Sequence, residues 1–389
     1  MKTISTEKIP IKLWLDDIED GALQQAKNLA NLPFAFKWIA LMPDAHHGYG
    51  MPIGGVLATK DVVVPNAVGV DIGCGMCAIK SSLKNIETEI LKKIMGEIRN
   101  AIPVGFKKHS TKQDKSYMPA ISEQDFEKFH IIPQEFSNAL KSIGTLGGGN
   151  HFIEIQKGSD GFIWIMIHSG SRNIGFKVAN YYNKLAMELN KKWYSSVPKE
   201  WELSFLPVDT IECQNYIGEM NYCVAFALKN RELMLERTKE IFTSFMNSVT
   251  FGDKINIAHN YVDLESHYGQ NVWVHRKGAT LARKETIGII PGSQGSKSYI
   301  VQGKGSAESF NSCSHGAGRL MGRKQAQRKL NLKEEQKKLE DLGVIHSVRH
   351  ASDLDEAPGS YKPISIVMEN QKDLVDIKVE LTPMAVIKG

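Results

Sequence analysis

The segment 161-GFIWIMIHSGSR-172 shows the local pattern on which the fold prediction for this chain depends. Residues 162–167 form an unbroken apolar run with the length and the aromatic and β-branched content of a buried strand. The run stops at His168, before a turn of serine and glycine, so a polar side chain lies at the end of a rigid element. Comparable short runs, each bounded by glycine, proline or asparagine, occur at 62–64, 254–257, 272–274 and 299–301.

Helical periodicity marks further stretches of the chain. Apolar residues at helical spacing predict helices over 21–32, 86–98 and 213–245, and a charged helix over 323–342. Strands and helices alternate irregularly, without the rhythm of a parallel βαβ fold, and no repeat or Pro/Ser linker divides the chain. We therefore predict an α+β fold, a single large domain over residues 1–389, with mixed or antiparallel sheets flanked by helices.

The composition is that of a folded protein in a reducing compartment. Hydrophobic residues make up 42% and charged residues 23% of the chain, which excludes a disordered or collagen-like protein. No apolar run approaches the roughly 18 residues of a membrane span, and the first residues include Glu7 but no apolar signal core. Five cysteines, an odd number, favour free thiols over a disulfide scaffold. These features predict a cytoplasmic protein, and the net charge of +5 is compatible with a polyanionic partner without demonstrating one.

Glycines gather in tight clusters beside residues that can carry chemistry. Clustered glycine lets backbone N–H groups approach an anion closely or adopt a positive φ at a turn. Ordinary turns explain any one cluster, but they explain five less well when each lies next to His, Cys, Asp, Asn or Ser. The clusters are Gly48, Gly50, Gly54 and Gly55; Gly69, Gly73 and Gly75; Gly147, Gly148 and Gly149; Gly292 and Gly295; and Gly316 and Gly318.

A carboxylate, a thiol and three histidines form a candidate set of metal ligands. Asp71 and Cys74 follow the apolar stretch 62–70, which predicts that both lie at the end of a buried strand. His151 lies in a glycine turn, and His168 and His259 follow apolar runs. Such donors together suit a transition metal. Each histidine alone is also compatible with a hydrogen-bonded turn, and the residues leave both interpretations open.

Two other motifs imitate known sites but fit them poorly. Cys74 and Cys77 form a C-x-x-C pair, yet a zinc knuckle needs a second pair nearby and a redox motif needs a helix start. The glycines around this pair imitate a dinucleotide fingerprint, although no amphipathic helix follows. The segment 291–298 lacks the glycines of a Walker A loop at the required places and is kept as an anion or ribose loop.

The segment 312–319, SCSHGAGR, places His315 among small residues. An accessible imidazole can attack phosphorus as a neutral nucleophile and leave again once it is protonated, which suits a two-step transfer. The glycines that follow, and a helix start beyond them, can donate N–H groups to a phosphate. The alternative is that His315 only caps that helix, and the residues themselves do not decide between the two.

In order and spacing, these motifs and others resemble the RtcB-type RNA ligases over nearly the whole chain. The matching segments are PDAHHGYG (43–50), PIGG (52–55), GVDIGCGM (69–76), GGNHF (148–152), HSGSR (168–172), HNY (259–261), HRKGA (275–279), PGS (291–293), SHGAGR (314–319), LDEAPG (354–359) and IKG (387–389).

The resemblance implies an enzyme with its active site in a central cleft, which joins an RNA 3′-phosphate or 2′,3′-cyclic phosphate to a 5′-hydroxyl, using GTP and Mn²⁺. His315 would carry the guanylyl group as a phosphoramidate; the guanylate would then pass to the RNA 3′-phosphate, and the 5′-hydroxyl would displace GMP. Two manganese ions, bridged by Cys74, would be held by Asp71, Cys74, His151, His168 and His259. Asp44 and His47 match family positions near the reacting ends, without an assigned role.

The resemblance also implies a nucleotide site. Glu154 would accept from guanine N1–H and the N2 amino group, and Lys388 would donate to O6. The remaining nucleotide contacts would come from Asn150, Phe152, Asn260, Pro291, Gly292, Ser293, Gln294, Ser298, Gly316, Ala317 and Gly318. Gly322 and Gln294 depart from the family, which often has Ser and Met at these positions; the departures bear on the choice of RNA or on helper dependence.

Two further hypotheses compete with the ligase. A two-metal phosphodiesterase would need the same metal ligands but neither His315 nor a guanine reader, and a non-catalytic RNA-binding relative should have lost a ligand or the nucleophile. The expected partner is RNA, not DNA or a membrane. The sequence leaves open the physiological RNA and the need for an archease-type activator. It also leaves open whether Lys107, Lys108, Lys112 and Lys115 follow a phosphate backbone or only form a solvated loop.

Overall fold

Two sheets form the centre of the computed structural model, which describes residues Met1–Gly389. The α-helices are α1 (Asp20–Ala30), α2 (Thr88–Ala101), α3 (Glu123–Lys128), α4 (Ile132–Ser142), α5 (Arg172–Lys192), α6 (Ile211–Phe245), α7 (Arg323–Lys329), α8 (Leu332–Asp341) and α9 (Ile364–Glu369). The strands are β1 (Lys2–Ile4), β2 (Ile11–Leu13), β3 (Ala35–His46), β4 (Ile53–Thr59), β5 (Val62–Val63), β6 (Gly75–Lys80), β7 (Phe152–Gly158), β8 (Ile163–Ser169), β9 (Leu206–Pro207), β10 (Ile255–Ala258), β11 (Asn260–His267), β12 (Gln270–Lys277), β13 (Ala279–Leu281), β14 (Ile287–Ile290), β15 (Ser298–Gly303), β16 (Ser312–Ser314) and β17 (Val375–Lys388).

The sheets are mixed and antiparallel. One sheet has six strands in the order β1-β2-β3-β4-β12-β11, and its only parallel pair is β2 with β3. The other has seven antiparallel strands in the order β10-β6-β8-β7-β17-β15-β14. Two short ribbons, β13 with β16 and β5 with β9, complete the strand pairing. The predicted α+β fold with mixed and antiparallel sheets is confirmed.

The alternation of side chains along β8 decides which face of the seven-stranded sheet is packed by helices. Ile163, Ile165 and Ile167 belong to a fully buried cluster with residues of α2 and α6. Each such side chain contributes about 1.5–3 kcal/mol on burial. Because successive side chains of a strand point to opposite faces, Met166 and His168 point away from these helices. The apolar pattern of β8 therefore directs His168 to the opposite face of the sheet.

Predicted helices and strands are mostly confirmed, with two corrections. The stretch 62–70 is not one strand: β5 ends at Val63, and a 3-10 turn at Pro65–Ala67 follows because proline cannot continue the ladder. Asp71 and Cys74 therefore precede a strand, β6, rather than end one. The predicted helix over 323–342 is two helices, because the side chain of Asn331 accepts hydrogen bonds from the first N–H groups of α8.

No helix is both long enough and apolar enough to cross a membrane.

Candidate functional site

One edge of the seven-stranded sheet brings the candidate metal ligands together. In an antiparallel sheet the start of one strand lies beside the end of its neighbour, so β6 and β7 begin where β8, β10 and β17 end. Register places Met76 opposite His168, and His168 opposite Phe152. The turn with Asp71 and Cys74 leads into β6, and the remaining ligand candidates sit at the neighbouring strand ends. These are His151 before β7, His168 in β8 and His259 after β10.

The five side chains form two donor groups that share one sulfur atom. Cys74, His168 and His259 form the first group, and Asp71, Cys74 and His151 the second; within each group the donor atoms lie within 4.8 Å of one another. Cys74 Sγ lies 3.3 Å from His168 Nε2 and 3.5 Å from His151 Nε2. Donors around one ion lie roughly 3.3–3.8 Å apart at ordinary bond lengths of about 2.0–2.3 Å. The spacing fits two cations on either side of the thiol.

Burial and charge set the protonation of this cluster. Burial lowers the pKa of His168 and of His259 well below the usual range, so both are neutral, as metal-ligating imidazoles are. Burial raises the pKa of Asp71, but hydrogen bonds from His151 and Cys74 outweigh it and hold the pKa at about 2. Burial and the Asp71 charge raise the pKa of the Cys74 thiol well above its usual range.

One unpartnered nitrogen supports the same interpretation. The Nδ1 atom of His259 is buried without a hydrogen-bond partner, which costs free energy unless a ligand compensates. The Nδ1 of His151 is also unpartnered, but it lies on the side of the ring opposite to Nε2, the atom that faces Cys74 and Asp71. By contrast, His168 Nδ1 lies 3.1 Å from the carbonyl oxygen of Asn150. That bond turns Nε2 of His168 towards Cys74, as an outer partner of a metal-bound histidine does. The donor types, their spacing and the orphaned nitrogen of His259 fit a pair of transition-metal ions.

Arg231 on α6 ties the ligand-bearing segments together. Its side chain is fully buried, and Nη1 donates to the carbonyl oxygens of Gly73 at 3.0 Å and Ser169 at 2.8 Å. Nη2 donates to the carbonyl oxygen of Ile257 at 3.2 Å. These three carbonyls adjoin the Asp71–Cys74 turn, His168 and His259. One planar guanidinium thus sets the distances among ligands from three separate parts of the chain.

We expect Arg231→Lys to weaken metal binding by roughly 10–100-fold, the usual cost of disturbing an outer partner of a ligand. A lysine keeps the charge but cannot reach three carbonyls in one plane. Titration calorimetry with Mn²⁺ on the folded variant measures the effect. Arg237→Lys is the matched control, because Arg237 lies on the same helix but its guanidinium bonds to His109, Gly144 and Gln113 instead. Equal affinities for wild type and Arg231→Lys would contradict this role.

His315 lies on the other side of the cleft and is held by a buried carboxylate. It follows β16, which pairs with β13, and its ring centroid lies 4.8 Å from that of His259. Asp44 Oδ2, from β3, lies 2.6 Å from His315 Nδ1 and also accepts from the backbone N–H groups of His315 and Gly316. Burial raises the pKa of Asp44, but the His315 ring outweighs it and keeps the carboxylate ionised. The remaining nitrogen, Nε2, is therefore left for chemistry.

The alternative that His315 caps a helix is wrong. Helix α7 begins at Arg323 and is capped by Gly322, well beyond His315. The glycines between them have another function: Gly318 has φ +74°, and a Cβ there would lie 2.3 Å from the carbonyl oxygen of Asp44. Only glycine lets the chain pass this close to Asp44.

A cleft of about 1110 Å³ between the two sheets contains both features. It is lined by His315 and by the candidate ligands Asp71, Cys74, His168 and His259, whereas the buried His151 is not among the lining residues. The predicted nucleotide residues that line it are Asn150, Phe152, Glu154, Asn260, Pro291, Gly292, Ser293, Gln294, Gly316, Ala317, Gly318 and Lys388. Ser298 is not among them; its buried hydroxyl bonds to Gly292 N–H and to Gln156. Ser298 supports the cleft wall from behind.

Several polar side chains that line the cleft already form hydrogen bonds or ion pairs within the protein. Asn260 donates to the carbonyl oxygen of Asp71 and accepts from Gly278 N–H, which links the ligand turn to the strand next to His315. Lys388 Nζ lies 2.9 Å from Glu356 Oε2 and 3.3 Å from the carbonyl oxygen of Asn150. Burial raises the pKa of Glu154 to about 8, although Gln156 and Lys388 act in the opposite direction.

Asp44, Arg231 and Glu356 are the functional side chains that sequence reasoning missed or left without a role. Asp44 stands in a recognisable motif, but its partner His315 is 271 residues away. Arg231 lies in the middle of a helical pattern with no local signal. Glu356, also within a motif, joins Lys388 and Arg319 in a buried ion-pair network.

Comparisons with known proteins agree along the whole chain. A family model described as "tRNA-splicing ligase RtcB" matches residues 25–389. The chain is 37% identical over 407 positions to the RNA-splicing ligase RtcB of Escherichia coli K12, covering 99% of each. It is 31% identical over 461 positions to the tRNA-splicing ligase RtcB of Thermococcus kodakarensis, covering 98% of this chain and 95% of the relative.

Proposed function

This chain belongs to the RtcB family of RNA ligases, and we propose that it joins RNA 3′-phosphate or 2′,3′-cyclic phosphate ends to 5′-hydroxyl ends with GTP and Mn²⁺. It acts as an RNA ligase in splicing or repair; its relatives are named RNA-splicing and tRNA-splicing ligases. The observation that carries the detailed proposal is His315 itself. Its Nδ1 is fixed by a buried carboxylate, and its ring lies 4.8 Å from that of His259 in the candidate metal cluster.

The metal proposal assigns the two donor groups to two ions. Asp71, Cys74 and His151 would hold one, and Cys74, His168 and His259 the other. Bound Mn²⁺ would neutralise phosphate charge and stabilise attacking and leaving oxygens during the displacement. The cysteine supports a transition metal over Mg²⁺, because magnesium prefers oxygen donors.

His315 acts as the nucleophile of the first step. Nδ1–H donates to Asp44, so the lone pair is on Nε2, which attacks the α-phosphorus of GTP. The new P–N bond forms as the P–O bond to pyrophosphate breaks, and the Asp44 carboxylate stabilises the positive charge that develops on the ring. Because Gly316 N–H is engaged by Asp44, the backbone N–H groups of Ala317 and Gly318 would contact the phosphate.

The second and third steps return the histidine to its starting state. An oxygen of the RNA 3′-phosphate attacks the guanylyl phosphorus as the P–N bond to His315 breaks. The product is RNA whose 3′-phosphate is joined to GMP through a P–O–P linkage. The 5′-hydroxyl then attacks the RNA phosphorus; a phosphodiester forms, GMP leaves, and the hydroxyl proton is released. A 2′,3′-cyclic phosphate must first be opened by water to a 3′-phosphate.

Guanine selection would depend on Glu154 and Lys388. A carboxylate that accepts from N1–H and the N2 amino group cannot be satisfied by adenine, whose corresponding edge lacks those donors. Both side chains line the cleft, and Lys388 is held in place by Glu356.

We expect guanosine affinity to rise between about pH 6.5 and pH 8, by up to about tenfold per pH unit. In the free protein Glu154 has a pKa of about 8 and is mostly neutral at pH 7; the guanine donors favour its ionised form, so binding releases a proton. Guanosine serves as the probe because it carries no titrating phosphate. Calorimetry in buffers of different ionisation enthalpy measures the proton release. Glu154→Gln should bind more weakly and without this pH dependence; a flat wild-type profile would contradict the prediction.

Ligation of defined RNAs tests the function directly. Purified protein is incubated with Mn²⁺, an RNA ending in 3′-phosphate and an RNA beginning with 5′-hydroxyl, with GTP, with ATP or without nucleotide. A joined product that forms with GTP, but not with ATP or without nucleotide, supports the proposal. Loss of the 3′-phosphate or cleavage of the cyclic phosphate without joining would instead support a two-metal phosphodiesterase. Multiple turnovers by the purified chain would show that no archease-type activator is needed. Cytoplasmic location remains a prediction.

A further inference from the structure

A tight turn beside the active-site glycines presents an exposed aromatic ring. Gly105 N–H donates to the carbonyl oxygen of Gly147 at 2.9 Å, and Leu146 N–H donates to that of Pro103 at 2.9 Å. Arg172 Nη2 donates to the carbonyl oxygen of Gly105 at 3.2 Å. The backbone immediately before Phe106 is therefore attached to the glycine turn that precedes His151, and beyond Phe106 the N–H of His109 donates to the carbonyl oxygen of Lys141 at 2.9 Å.

The glycine turn separates this aromatic turn from the cleft by a single layer of backbone. A Cβ added to Gly148 would lie 3.6 Å from Gly105 Cα. On the cleft side, a Cβ added to Gly149 would lie 2.9 Å from the guanidinium of Arg323, which lines the cleft. Phe106 Cα is about 3.8 Å further along the chain from Gly105. These contacts place the Phe106 turn against the glycine turn, whose other side meets the cleft-lining Arg323.

The exposure of Phe106 is unusual for a residue with a fixed backbone. Its side chain is wholly exposed, at 101% of the reference area, whereas most other exposed aromatic residues of the chain keep about half or more of their surface covered. Single exposed apolar residues are common and need no explanation by themselves. The backbone around Phe106, however, is held by hydrogen bonds at Gly105 and at His109, close to a site whose proposed substrate carries bases that can stack.

The charge around Phe106 is positive. Segment 106–117 contains Lys107, Lys108, Lys112 and Lys115, all exposed, and a single carboxylate, Asp114. Asp114 accepts from Ser116 N–H, which caps the 3-10 turn Lys115–Tyr117. The lysines are therefore available to phosphate groups. An aromatic face with neighbouring cations is the arrangement that binds single-stranded nucleic acid through base stacking and backbone charge.

We propose that Phe106 stacks on an unpaired base near the end of the RNA substrate, while Lys107 and Lys108 contact the adjoining phosphates. This inference rests on the proposed RNA ligase function and adds to it a surface that binds the RNA substrate. The phosphate at the reacting end enters the cleft past the 147–149 turn, and a base a few nucleotides away rests on the ring. The surface is tolerant of sequence, because every base has a stacking face.

Binding of RNA without chemistry tests this proposal. The probe is a fluorescent single-stranded RNA with a 3′-phosphate, titrated by anisotropy in the absence of GTP and Mn²⁺. We expect Phe106→Ala to weaken binding by roughly 5–100-fold, the usual cost of one lost stacking contact, and Phe106→Tyr to bind like wild type. Tyr194→Ala is the matched control, because Tyr194 is 94% exposed beyond the far end of α5 and should not affect binding.

An abasic scan separates stacking from a general surface effect. One nucleotide at a time near the 3′ end is replaced by an abasic residue, and each RNA is titrated against wild type and Phe106→Ala. We expect one position at which the abasic replacement and Phe106→Ala together reduce the free energy of binding no more than either change alone. Such non-additivity indicates that the base and the ring are in direct contact. Additive costs at every position would overturn the proposal.

The failure of this inference is distinguishable from failure of the proposed function. Self-guanylylation with labelled GTP needs no RNA, so Phe106→Ala should label like wild type. Wild-type ligation with unchanged RNA affinity in Phe106→Ala would overturn the stacking surface alone. If that variant also lost self-association in sedimentation, the ring would belong to a protein interface instead. Wild type that neither labels nor joins RNA would overturn the ligase proposal and, with it, this inference.

Discussion

We expect Asp44→Asn to lower the rate of self-guanylylation by about 10²–10⁴-fold, although it removes no atom from the nucleophile. Asp44 Oδ2 accepts from His315 Nδ1 and from the backbone N–H groups of His315 and Gly316. Asp44→Asn removes the negative charge and offers an amide N–H in place of a carboxylate oxygen. Nδ1 of His315 can then accept a hydrogen bond from this amide, which favours the tautomer that carries the proton on Nε2. In that form Nε2 has no lone pair with which to attack GTP.

The measurement is the rate at which α-labelled GTP forms an acid-labile adduct in the presence of Mn²⁺. His315→Ala should give no adduct, and Asp44→Asn should give a slow one. Both variants should bind GTP within a few-fold of wild type, which separates loss of the nucleophile from loss of the nucleotide site. Because Asp44 is fully buried, its variant is first shown to be folded by thermal unfolding. A label that persists in His315→Ala would remove His315 as the nucleophile.

We expect Cys74→Ala to abolish binding of both proposed metal ions, and Cys77→Ala to leave metal binding intact. Cys74 Sγ belongs to both donor groups, so its loss removes a ligand from each. A bridging thiolate also screens the repulsion between two adjacent cations, and without it the second ion binds against the charge of the first. We expect the manganese content to fall from about two ions to near zero at micromolar metal, and labelling by GTP to fall with it.

Cys77 supplies the matched control within the same motif. It is equally buried, but it packs in the apolar cluster beneath α2 and α6, on the face of β6 away from the cleft. Cys77→Ala should therefore cost only stability, about 1 kcal/mol for a small cavity, and leave the metal content unchanged. Metal analysis of dialysed protein and a thermal melt separate the two effects. Equal loss of metal in both variants would mean that the assignment of the ligand is wrong.

Local patterns predicted those parts of the site that lie at the ends of regular strands. The apolar run before His168 is a strand, and its alternation alone determines that the histidine faces the cleft and not the helices. The run before His259 is also a strand, but there Ile255 and Ile257 lie on the same side of the sheet as Met166, and Asn256 faces α6. The position of Asp71 was predicted wrongly, because apolar content over 62–70 does not reveal that Pro65 ends the strand. Its proximity to the histidines follows from the register of β6 with β8.

Other parts of the site depend on contacts that no local pattern encodes. Asp44 meets His315 only because β3 and the β13–β16 ribbon lie side by side, and nothing near Arg231 in sequence indicates that its guanidinium reaches three ligand-bearing segments. The division of 323–342 into α7 and α8 could have been predicted, since Asn331 is a favoured N-cap residue. Residue chemistry and position suggested the ligand set and His315 but left structural alternatives open, and the family resemblance favoured the functional ones.

The position of β17 has a consequence for biosynthesis. This strand lies between β7 and β15 in the seven-stranded sheet and carries Lys388 to the cleft, yet it follows every other strand in the chain. Until residues 375–388 leave the ribosome, β7 and β15 both expose open edges that can pair with other polypeptides. A chain whose translation stops before β17 would therefore be prone to aggregation. It would also lack part of the proposed nucleotide pocket, so it would be inactive and not merely slow.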